Sequence, residues 1–314
     1  MNPIRPATFS SDNLADGRWL EAPSQRSFRD LFRSTGTPTG TRFPAAIVGF
    51  SARPGLAGIA EMVAAGVSQA GLNVFLSDAP TPIIALSRAI CNRGMSLGLY
   101  LDETATGEFI LFPLGNNGGP ATGLDLPEMP PVPLEKPGVV GTTDITTTYL
   151  SGLKELLDPF PEVKPRAAEI QSPFDLIARR FGERPEYRIL WERAENGPVA
   201  VISPDGQGLS FLIPPGENWT TREIAQTVGE YLTLVRRTNG TVVAPHGVQP
   251  LKLGEAQHIS VVGDSLEMSC QAGYIDLLLG WWEPGIIAHQ GNGPYGDAYL
   301  TLAYLFEALG ARQS

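Results

Sequence analysis

A serine late in the chain is the first group whose neighbours suggest chemistry. Residues 263–266 read Gly-Asp-Ser-Leu directly after a predicted strand, and this block carries the nucleophile of one class of serine hydrolases. A serine nucleophile needs a histidine to take its proton, which in those hydrolases stands three residues after an aspartate. Here the only histidine that follows is His289, and the residue three before it is Ile286. We therefore interpret the block as a chance match.

The histidines do not predict a metal site either. His246, His258 and His289 lack the i, i+4 separation of a helical ligand pair, and no cysteine lies near any of them in the sequence. No transition-metal centre follows from their spacing.

Two other features suggest ligand binding but have a simpler interpretation. Residues 115–119 read Gly-Asn-Asn-Gly-Gly and could wrap a phosphate with backbone N–H groups, yet no clear helix start follows, so a turn is favoured. Trp281 and Trp282 could stack on a sugar ring or a partner, and ordinary packing is favoured for them. Exposure of this pair would suit a protein partner.

The elements that position these residues alternate between strand and helix in the first half of the chain. Short apolar runs predict strands, and the segments between them have the apolar spacing of helices. Strand, helix, strand, helix, strand is typical of a parallel sheet with right-handed crossovers. The predicted strands are 45–50, 73–77 and 97–101, and the predicted helices are 56–70 and 81–92.

The second half is also predicted to be α/β, after a Gly- and Pro-rich connection at 115–136. The segment 220–237 has a clear helix start and a basic last turn. Other helices are predicted at 146–157, 174–181 and 297–309, and strands at 199–202, 209–213, 242–243 and 259–262.

Composition limits the classes of function. The chain has 314 residues, of which 42% are hydrophobic and 18% charged, as in a folded protein of two or three domains. A net charge of -10 argues against nucleic acid or an anionic membrane surface as a partner. No stretch approaches the roughly 18 apolar residues of a membrane span, and the polar N-terminus does not resemble a signal peptide. Two distant cysteines, Cys91 and Cys270, fit a reducing compartment. We predict a cytoplasmic protein with both thiols buried.

The order of several motifs resembles the α-D-phosphohexomutases, the phosphoglucomutase/phosphomannomutase family. Residues 47–54 look like the first strand of that family, which ends in Gly-x-Asp-x-Arg, and 79–82 resemble its x-Pro-Thr-Pro helix opening. The similarity continues through 69–74 (an Ala-Gly turn), 144–153 (the helix that opens the second domain), 203–211 (the metal loop), 219–234 (the helix after it), Gly263 (the third-domain Lys-Thr-Gly-His loop), 281–285 (the sugar-binding loop) and 296–297 (the start of the last helix of domain three).

At the nucleophile position the resemblance implies Thr104. The family carries phosphate on the serine of Thr-Ala-Ser-His-Asn-Pro, and residues 102–107 here read Asp-Glu-Thr-Ala-Thr-Gly. A threonine hydroxyl can accept phosphate in principle. Asp102 and Glu103 would, however, repel an incoming dianion, and the His-Asn-Pro support is missing.

The resemblance assigns the metal position to Asp205. The family holds Mg²⁺ with three aspartates in Asp-Gly-Asp-x-Asp-Arg, whose counterparts here are Ser203, Asp205 and Gln207. A hard cation wants several charged oxygens, so we expect no bound metal. Without it, the charge of a transferring phosphoryl group goes unstabilised. Mg²⁺ would be required only if the chain were active.

Arg53 and Glu283 are the remaining candidates for binding a phosphate or a sugar. Trp282 and Pro284 stand where the family has the glutamate and serine of its sugar loop, and Val261 replaces a lysine of the third domain. By the same resemblance, we expect a trimmed second domain and no fourth domain with its phosphate clamp.

These comparisons imply an α/β fold with tandem α/β/α domains of the phosphohexomutase type and mixed, mainly parallel sheets. The predicted divisions are a polar arm (1–38), domain I (39–134), domain II (135–217) and domain III (218–314). Whether the chain is an enzyme is left open, and the leading hypothesis is a degenerate relative without mutase activity that acts as a protein-binding or structural subunit. The predicted partner is another protein or a second copy in a homo-oligomer. The alternatives are an active phosphosugar mutase that uses Thr104, and a sensor that binds a hexose phosphate.

Overall fold

Two units divide the chain, Met1–Thr148 and Tyr149–Ser314. They are described from a computed structural model that covers residues 6–9, 45–69, 71–121, 137–157, 169–182, 197–213, 216–264, 268–269, 275–290 and 294–311. Within these ranges, none of the helices combines the length and the apolar character needed to cross a bilayer.

A six-stranded mixed sheet forms the first unit, in the order β1-β5-β4-β2-β3-β6. Strands β4, β2, β3 and β6 run parallel, whereas β5 is antiparallel to both of its neighbours. The strands are β1 (Ala7–Phe9), β2 (Ala45–Phe50), β3 (Asn73–Ser77), β4 (Leu97–Glu103), β5 (Phe109–Leu114) and β6 (Val140–Thr143), with helices α1 (Leu56–Gln69) and α2 (Ile83–Arg93) between them.

Helix α1 was predicted from the spacing of its apolar residues, and its burial explains why that spacing is informative. Its apolar side chains recur every three or four residues, so one face is buried on the sheet. Gly71 follows the helix with a φ of 94°, a backbone conformation that glycine adopts without strain. The fully buried residues of this face are Leu56, Ala60, Val63, Ala64 and Val67.

The edges of this sheet differ from the predicted divisions. Strand β1 lies in the segment predicted to be a polar arm, and it pairs with β5 through Phe9, which is buried. Strand β6 lies beyond the predicted boundary at 134/135, yet it pairs with β3. A short edge strand has little apolar periodicity of its own, so its partner decides where it belongs.

The second unit contains two four-stranded sheets, in the orders β10-β9-β8-β7 and β12-β11-β13-β14. In the second of these, β12, β11 and β13 are parallel and β14 is antiparallel. Strands β13 and β14 were not predicted, because both are buried continuously and show no alternation. The strands are β7 (Glu169–Gln171), β8 (Val199–Ile202), β9 (Leu209–Ile213), β10 (Glu217–Trp219), β11 (Thr241–Pro245), β12 (Gln257–Val261), β13 (Leu277–Trp282) and β14 (Ile286–His289).

Helix α6 (Ala298–Ala311) is the centre of the second unit. It is buried on nearly every side, as expected for a helix that is apolar all round, and it packs on β14 and on β8 and β9. The other helices are α3 (Thr146–Leu156), α4 (Asp175–Gly182) and α5 (Thr221–Glu230), the last continued by a π-helix (Tyr231–Val235).

The π-helix corrects the prediction of one regular helix over 220–237. The Arg236 N–H donates to the carbonyl of Tyr231 over 3.1 Å, an i→i+5 bond. This wider turn aligns two side chains five residues apart, and both contact Glu307: the Tyr231 hydroxyl donates to Oε2 over 2.6 Å, and Arg236 Nη1 lies 3.3 Å from the same oxygen. Burial and the Glu307 carboxylate raise the pKa of Tyr231.

One cysteine prediction is also corrected. Cys91, expected to be buried, is exposed near the end of α2, while Cys270 lies outside the described residues. The helix ends where Gly94 adopts the left-handed conformation, and this places Cys91 in its last, solvent-facing turn.

His289, the last residue of β14, is a buried histidine. Thr301 Oγ1 donates to the carbonyl of Asp297 over 2.7 Å, so His289 Nε2 must donate to Thr301 Oγ1, also over 2.7 Å. Its Nδ1 has no hydrogen-bond partner in the described part of the chain. Because the side chain is 1% exposed, burial lowers the pKa of His289 to about 3.

This burial predicts acid sensitivity. Between about pH 6.5 and about pH 3 the unfolded chain protonates this histidine and the folded chain does not, so the free energy of unfolding falls as the pH falls, by up to about 1.4 kcal/mol per pH unit. We expect His289→Gln to flatten this dependence in urea unfolding at a series of pH values. His258→Gln, at an exposed strand residue, is the control. An unchanged slope for His289→Gln would contradict the assignment.

Candidate functional site

In the first unit, the candidate residues lie where parallel strands end. Ser51 and Arg53 follow β2, and Thr104 follows β4, whose last residue is Glu103. The Ser51 N–H donates to the carbonyl of Leu101 over 2.9 Å, which keeps the two strand ends side by side. The carboxyl end of a parallel sheet is the usual ligand side of such folds.

Asp102 forms a salt bridge with Arg53, the arginine that was predicted to bind a phosphate. Its Oδ1 accepts from Ser51 Oγ over 2.5 Å and from Arg53 Nε over 3.1 Å. The side chains of Arg53 and Asp102 are 36% and 16% exposed, so the pair is only partly screened by water. An incoming phosphate would have to compete with this carboxylate for Arg53.

Thr104 lies in the turn between β4 and β5, and its hydroxyl is held by that turn. The Glu108 N–H donates to Oγ1 over 3.0 Å, and the Thr106 hydroxyl lies 2.8 Å away. Since the Thr106 hydroxyl donates to Glu108 Oε2 over 3.3 Å, Thr104 donates to Thr106. The only side chains to which these bonds connect the hydroxyl are a threonine and a carboxylate.

In the second unit, Asp205 is bonded on both carboxylate oxygens by its own loop. Oδ1 accepts from Ser203 Oγ over 2.5 Å and from the Gln207 N–H over 3.1 Å, and Oδ2 accepts from Gln207 Nε2 over 2.8 Å. Ser203 Oγ also accepts from the Gly208 N–H over 2.7 Å. The residues that replace two aspartates of the resembled family are therefore the hydrogen-bond donors to the third.

This loop is packed against two other segments. The Leu209 N–H donates to the carbonyl of Gly285 over 2.9 Å, and the Ala298 N–H donates to the carbonyl of Gly206 over 3.1 Å. Gly285 has a φ of 68°, and a Cβ there would lie 2.5 Å from the carbonyl oxygen of Leu209. Only glycine fits at this contact, which joins the loop of Asp205 to the loop that carries Glu283.

Glu283 is exposed but anchored. The Thr221 hydroxyl donates to Glu283 Oε2 over 2.5 Å and accepts from the Gly285 N–H over 2.8 Å. Thr221 is the first residue of α5, whose preceding Thr220 forms a capping box with Glu223. Glu283 is thus an exposed carboxylate held at one oxygen by the start of α5.

Comparisons with known proteins identify the fold that carries these loops. No protein-family model matches the chain, and no curated protein matches it by sequence. A protein from Thermus thermophilus, assigned as a phosphomannomutase, matches with a TM-score of 0.72 at 16% identity over 91% of this chain and 75% of that chain. A phosphoglucomutase/phosphomannomutase family protein from Burkholderia thailandensis matches with a TM-score of 0.75 at 11% identity, over 98% of this chain and 76% of that chain. This chain has the phosphohexomutase fold.

Parafusin, a phosphoglucomutase from Paramecium, supports the same assignment in its open form. Its TM-score is 0.67 at 11% identity, over 98% of this chain and 70% of that chain. The predicted phosphohexomutase fold, with mixed and mainly parallel sheets, is confirmed. At such identities the likeness concerns the fold alone, so the chemistry must be argued from the residues present.

The magnesium that the phosphohexomutase fold implies does not fit the residues of this loop. The donor set is one hydroxyl, one carboxylate and one amide, and both oxygens of the carboxylate already accept hydrogen bonds. Mg²⁺ prefers charged oxygens in near-octahedral geometry. Throughout the described ranges, no group of three or more His, Cys, Asp or Glu side chains is placed to hold a metal ion.

The tryptophan pair does not lie in the sugar loop of this phosphohexomutase fold. Trp281 and Trp282 are the last residues of β13, each 3% exposed, and the loop begins at Glu283. Neither indole N–H has a partner among the residues that the structure covers. The favoured interpretation of ordinary packing is confirmed, and the alternative of exposure to a partner is excluded, because β13 is an interior strand.

The glycine-rich segment at 115–119 is a closed turn of this fold. The Gly118 N–H donates to the carbonyl of Gly115, and the Gly115 N–H to that of Gly119. A Cβ at Gly118, where φ is 74°, would lie 2.5 Å from the carbonyl oxygen of Ser87 on α2. Two amides of the segment are used inside the turn, which agrees with the interpretation as a turn.

Sequence reasoning missed two residues of these sites. Ser51 follows its strand directly and bonds Asp102, and Thr221 bonds Glu283. The helix start at Thr220 was visible in the sequence, whereas the contact of Thr221 with a loop 62 residues away had no local signal.

Proposed function

We propose that this chain is a phosphohexomutase-fold protein without mutase activity, which acts by binding a protein partner. The observation that carries the proposal is the loop of Asp205, whose carboxylate is bonded on both oxygens by Ser203 and Gln207. Phosphoryl transfer depends on a cation or arginine beside the moving charge. A loop satisfied by its own hydrogen bonds has no need of a cation.

The first unit supports the same proposal. Arg53 is paired with Asp102, and the Thr104 hydroxyl is bonded within its turn. A phosphoserine-like step at Thr104 would place a dianion two residues from the Asp102 carboxylate, which is unfavourable. The positions that would do chemistry instead make contacts that hold the scaffold together.

The retained fold supports a binding role. The fold matches over more than nine-tenths of this chain, although the sequence identities are only 11–16%. A scaffold that retains its fold while its reactive positions are bonded to their own neighbours is suited to presenting a surface rather than to turnover.

The first test is turnover. The purified chain is incubated with glucose 1-phosphate or mannose 1-phosphate, Mg²⁺ and a hexose bisphosphate primer, beside an active mutase as a positive control. We expect no 6-phosphate product above the background of the Thr104→Ala variant, and no phosphate on Thr104 by peptide mass spectrometry. Turnover that Thr104→Ala abolishes would overturn the proposal in favour of an active mutase.

A thermal shift distinguishes the sensor alternative. A hexose phosphate that binds the folded chain raises its stability by mass action, by about 2.7 kcal/mol at a hundred times its Kd. We expect no shift with either hexose phosphate. A saturable shift lost in Arg53→Met would replace the proposal with a phosphosugar sensor.

A further inference from the structure

The second unit has a cleft on the side of its sheet that faces away from the loop of Glu283. Strands β11, β12 and β13 are parallel, so their amino-terminal ends lie at the same end of the sheet. Glu283 lies at the opposite end, because it follows the last residue of β13. At the amino-terminal end of these strands, a cavity of about 620 Å³ is lined by the end of α5, the π-helix, the segment 252–256 and the first residues of the strands. We call it the N-edge cleft.

Its lining is acidic. Glu230, Glu255 and Asp276 contribute three carboxylates, against the single ammonium of Lys252. Glu255 and Asp276 are exposed, and Asp276 Oδ1 accepts from the neutral amide of Gln290 over 3.2 Å. A neutral donor orients a carboxylate without cancelling its charge, so the cleft attracts a cation.

An exposed leucine and the outer edge of a strand lie beside the acidic side chains of the cleft. Leu234, which also lines the cleft, is 76% exposed. Gln257 begins strand β12, which pairs with β11 on one side and has no second strand partner among the described residues. Its sequence, Gln-His-Ile-Ser-Val, lacks the lysine or proline that often protects an edge strand. Such an edge can add an extended peptide through main-chain hydrogen bonds.

We propose that the N-edge cleft docks an extended segment of a partner protein in which an arginine or lysine stands next to an apolar residue. The basic side chain enters the cleft between Glu255 and Asp276, the apolar one covers Leu234, and the backbone pairs with β12. This rests on the proposed function as a protein-binding chain. A second copy is a poorer occupant, because each copy has a net charge of -10 and would repel the other.

The probe is a displayed library of random linear heptapeptides, selected against the purified wild-type chain. We expect enriched peptides to combine a basic and an apolar residue. Synthetic versions should bind at least tenfold more weakly to Glu255→Lys and to Leu234→Gln, and more weakly at high salt, because the charged contact is solvent-exposed. Hydrogen exchange should slow at β12 when peptide binds.

Matched controls are available on α1 of the first unit. Glu61→Lys makes the same change and Met62→Gln a similar apolar-to-amide change at exposed positions, and both should leave peptide affinity unchanged. The proposal is overturned if no peptide is enriched, if enriched peptides lack a basic residue, or if both cleft variants bind them as wild type does. It is also overturned if sedimentation shows a wild-type dimer that the cleft variants abolish, since the occupant is then a second copy. Mutase turnover by the wild-type chain would overturn the proposed function alone. The docking proposal would then still be decided by the peptide-binding experiment.

Discussion

Replacing Arg236 with methionine is expected to lower the free energy of unfolding by about 3 kcal/mol, the largest loss from a single substitution that we predict. Glu307 is 1% exposed, and Arg236 forms an ion pair with it at 3.3 Å. Removing the arginine takes an ion pair away from a buried carboxylate that still accepts from the Tyr231 hydroxyl. A second contribution is lost with it, because the guanidinium lies 5.2 Å from the centre of the Tyr304 ring. Thermal unfolding should show a fall of about 6–12 °C in Tm.

The double variant Arg236→Met/Glu307→Gln separates charge from packing. The neutral amide still accepts from Tyr231 but needs no cation, so about half of the lost stability should return. Arg237→Met is the control, since the neighbouring Arg237 is exposed. If the double variant is no more stable than Arg236→Met, the loss comes from packing and the argument from buried charge is wrong.

Rebuilding three carboxylates in the loop of Asp205 should create a Mg²⁺-dependent stability that the wild-type chain lacks. In Ser203→Asp/Gln207→Asp, the two side chains that donate to Asp205 become anions, so like charges meet and the chain is destabilised in EDTA. A divalent cation then has three charged oxygens to bind. Mg²⁺ at a hundred times its Kd returns about 2.7 kcal/mol, which thermal unfolding with and without Mg²⁺ measures.

Two comparisons keep this result specific. Sodium chloride at equal ionic strength controls for screening, and Ser203→Asn/Gln207→Asn alters the same positions without adding charge. A stabilisation of the wild-type chain by Mg²⁺ beyond that given by sodium would contradict the interpretation of a self-satisfied loop. It would mean that the loop of Asp205 binds Mg²⁺ as it stands.

The sequence predicted best what depends on local pattern. The buried strand and the following helix at the start of the first unit follow from apolar spacing and a stopping glycine, and the structure places α1 at Leu56–Gln69. The order of short motifs was enough to predict the phosphohexomutase fold. The same motif order assigned Ser203 and Gln207 to two aspartate positions of the resembled family, and that assignment remains a prediction.

Other features depended on partners far away in the chain. The edge strand β6 belongs to the first sheet because it pairs with β3, and the turn from α-helix to π-helix follows from two side chains that meet Glu307. Trp281 and Trp282 are buried in strand β13, although their sequence context suggested a loop. None of these has a local signal, because burial is set by what packs on an element.

The fold class could be read from the chain alone, because the order of the motifs is written in residue types and spacing. The assignment of Ser203 and Gln207 to two metal-binding positions came from the same resemblance and stays a prediction. What the replacements do became clear only from the folded chain. Ser203 and Gln207 close on Asp205, and Asp102 takes Arg53. A hydrogen bond depends on distances of about 3 Å between atoms, and for Arg53 and Asp102, which are 49 residues apart in sequence, folding alone sets that distance.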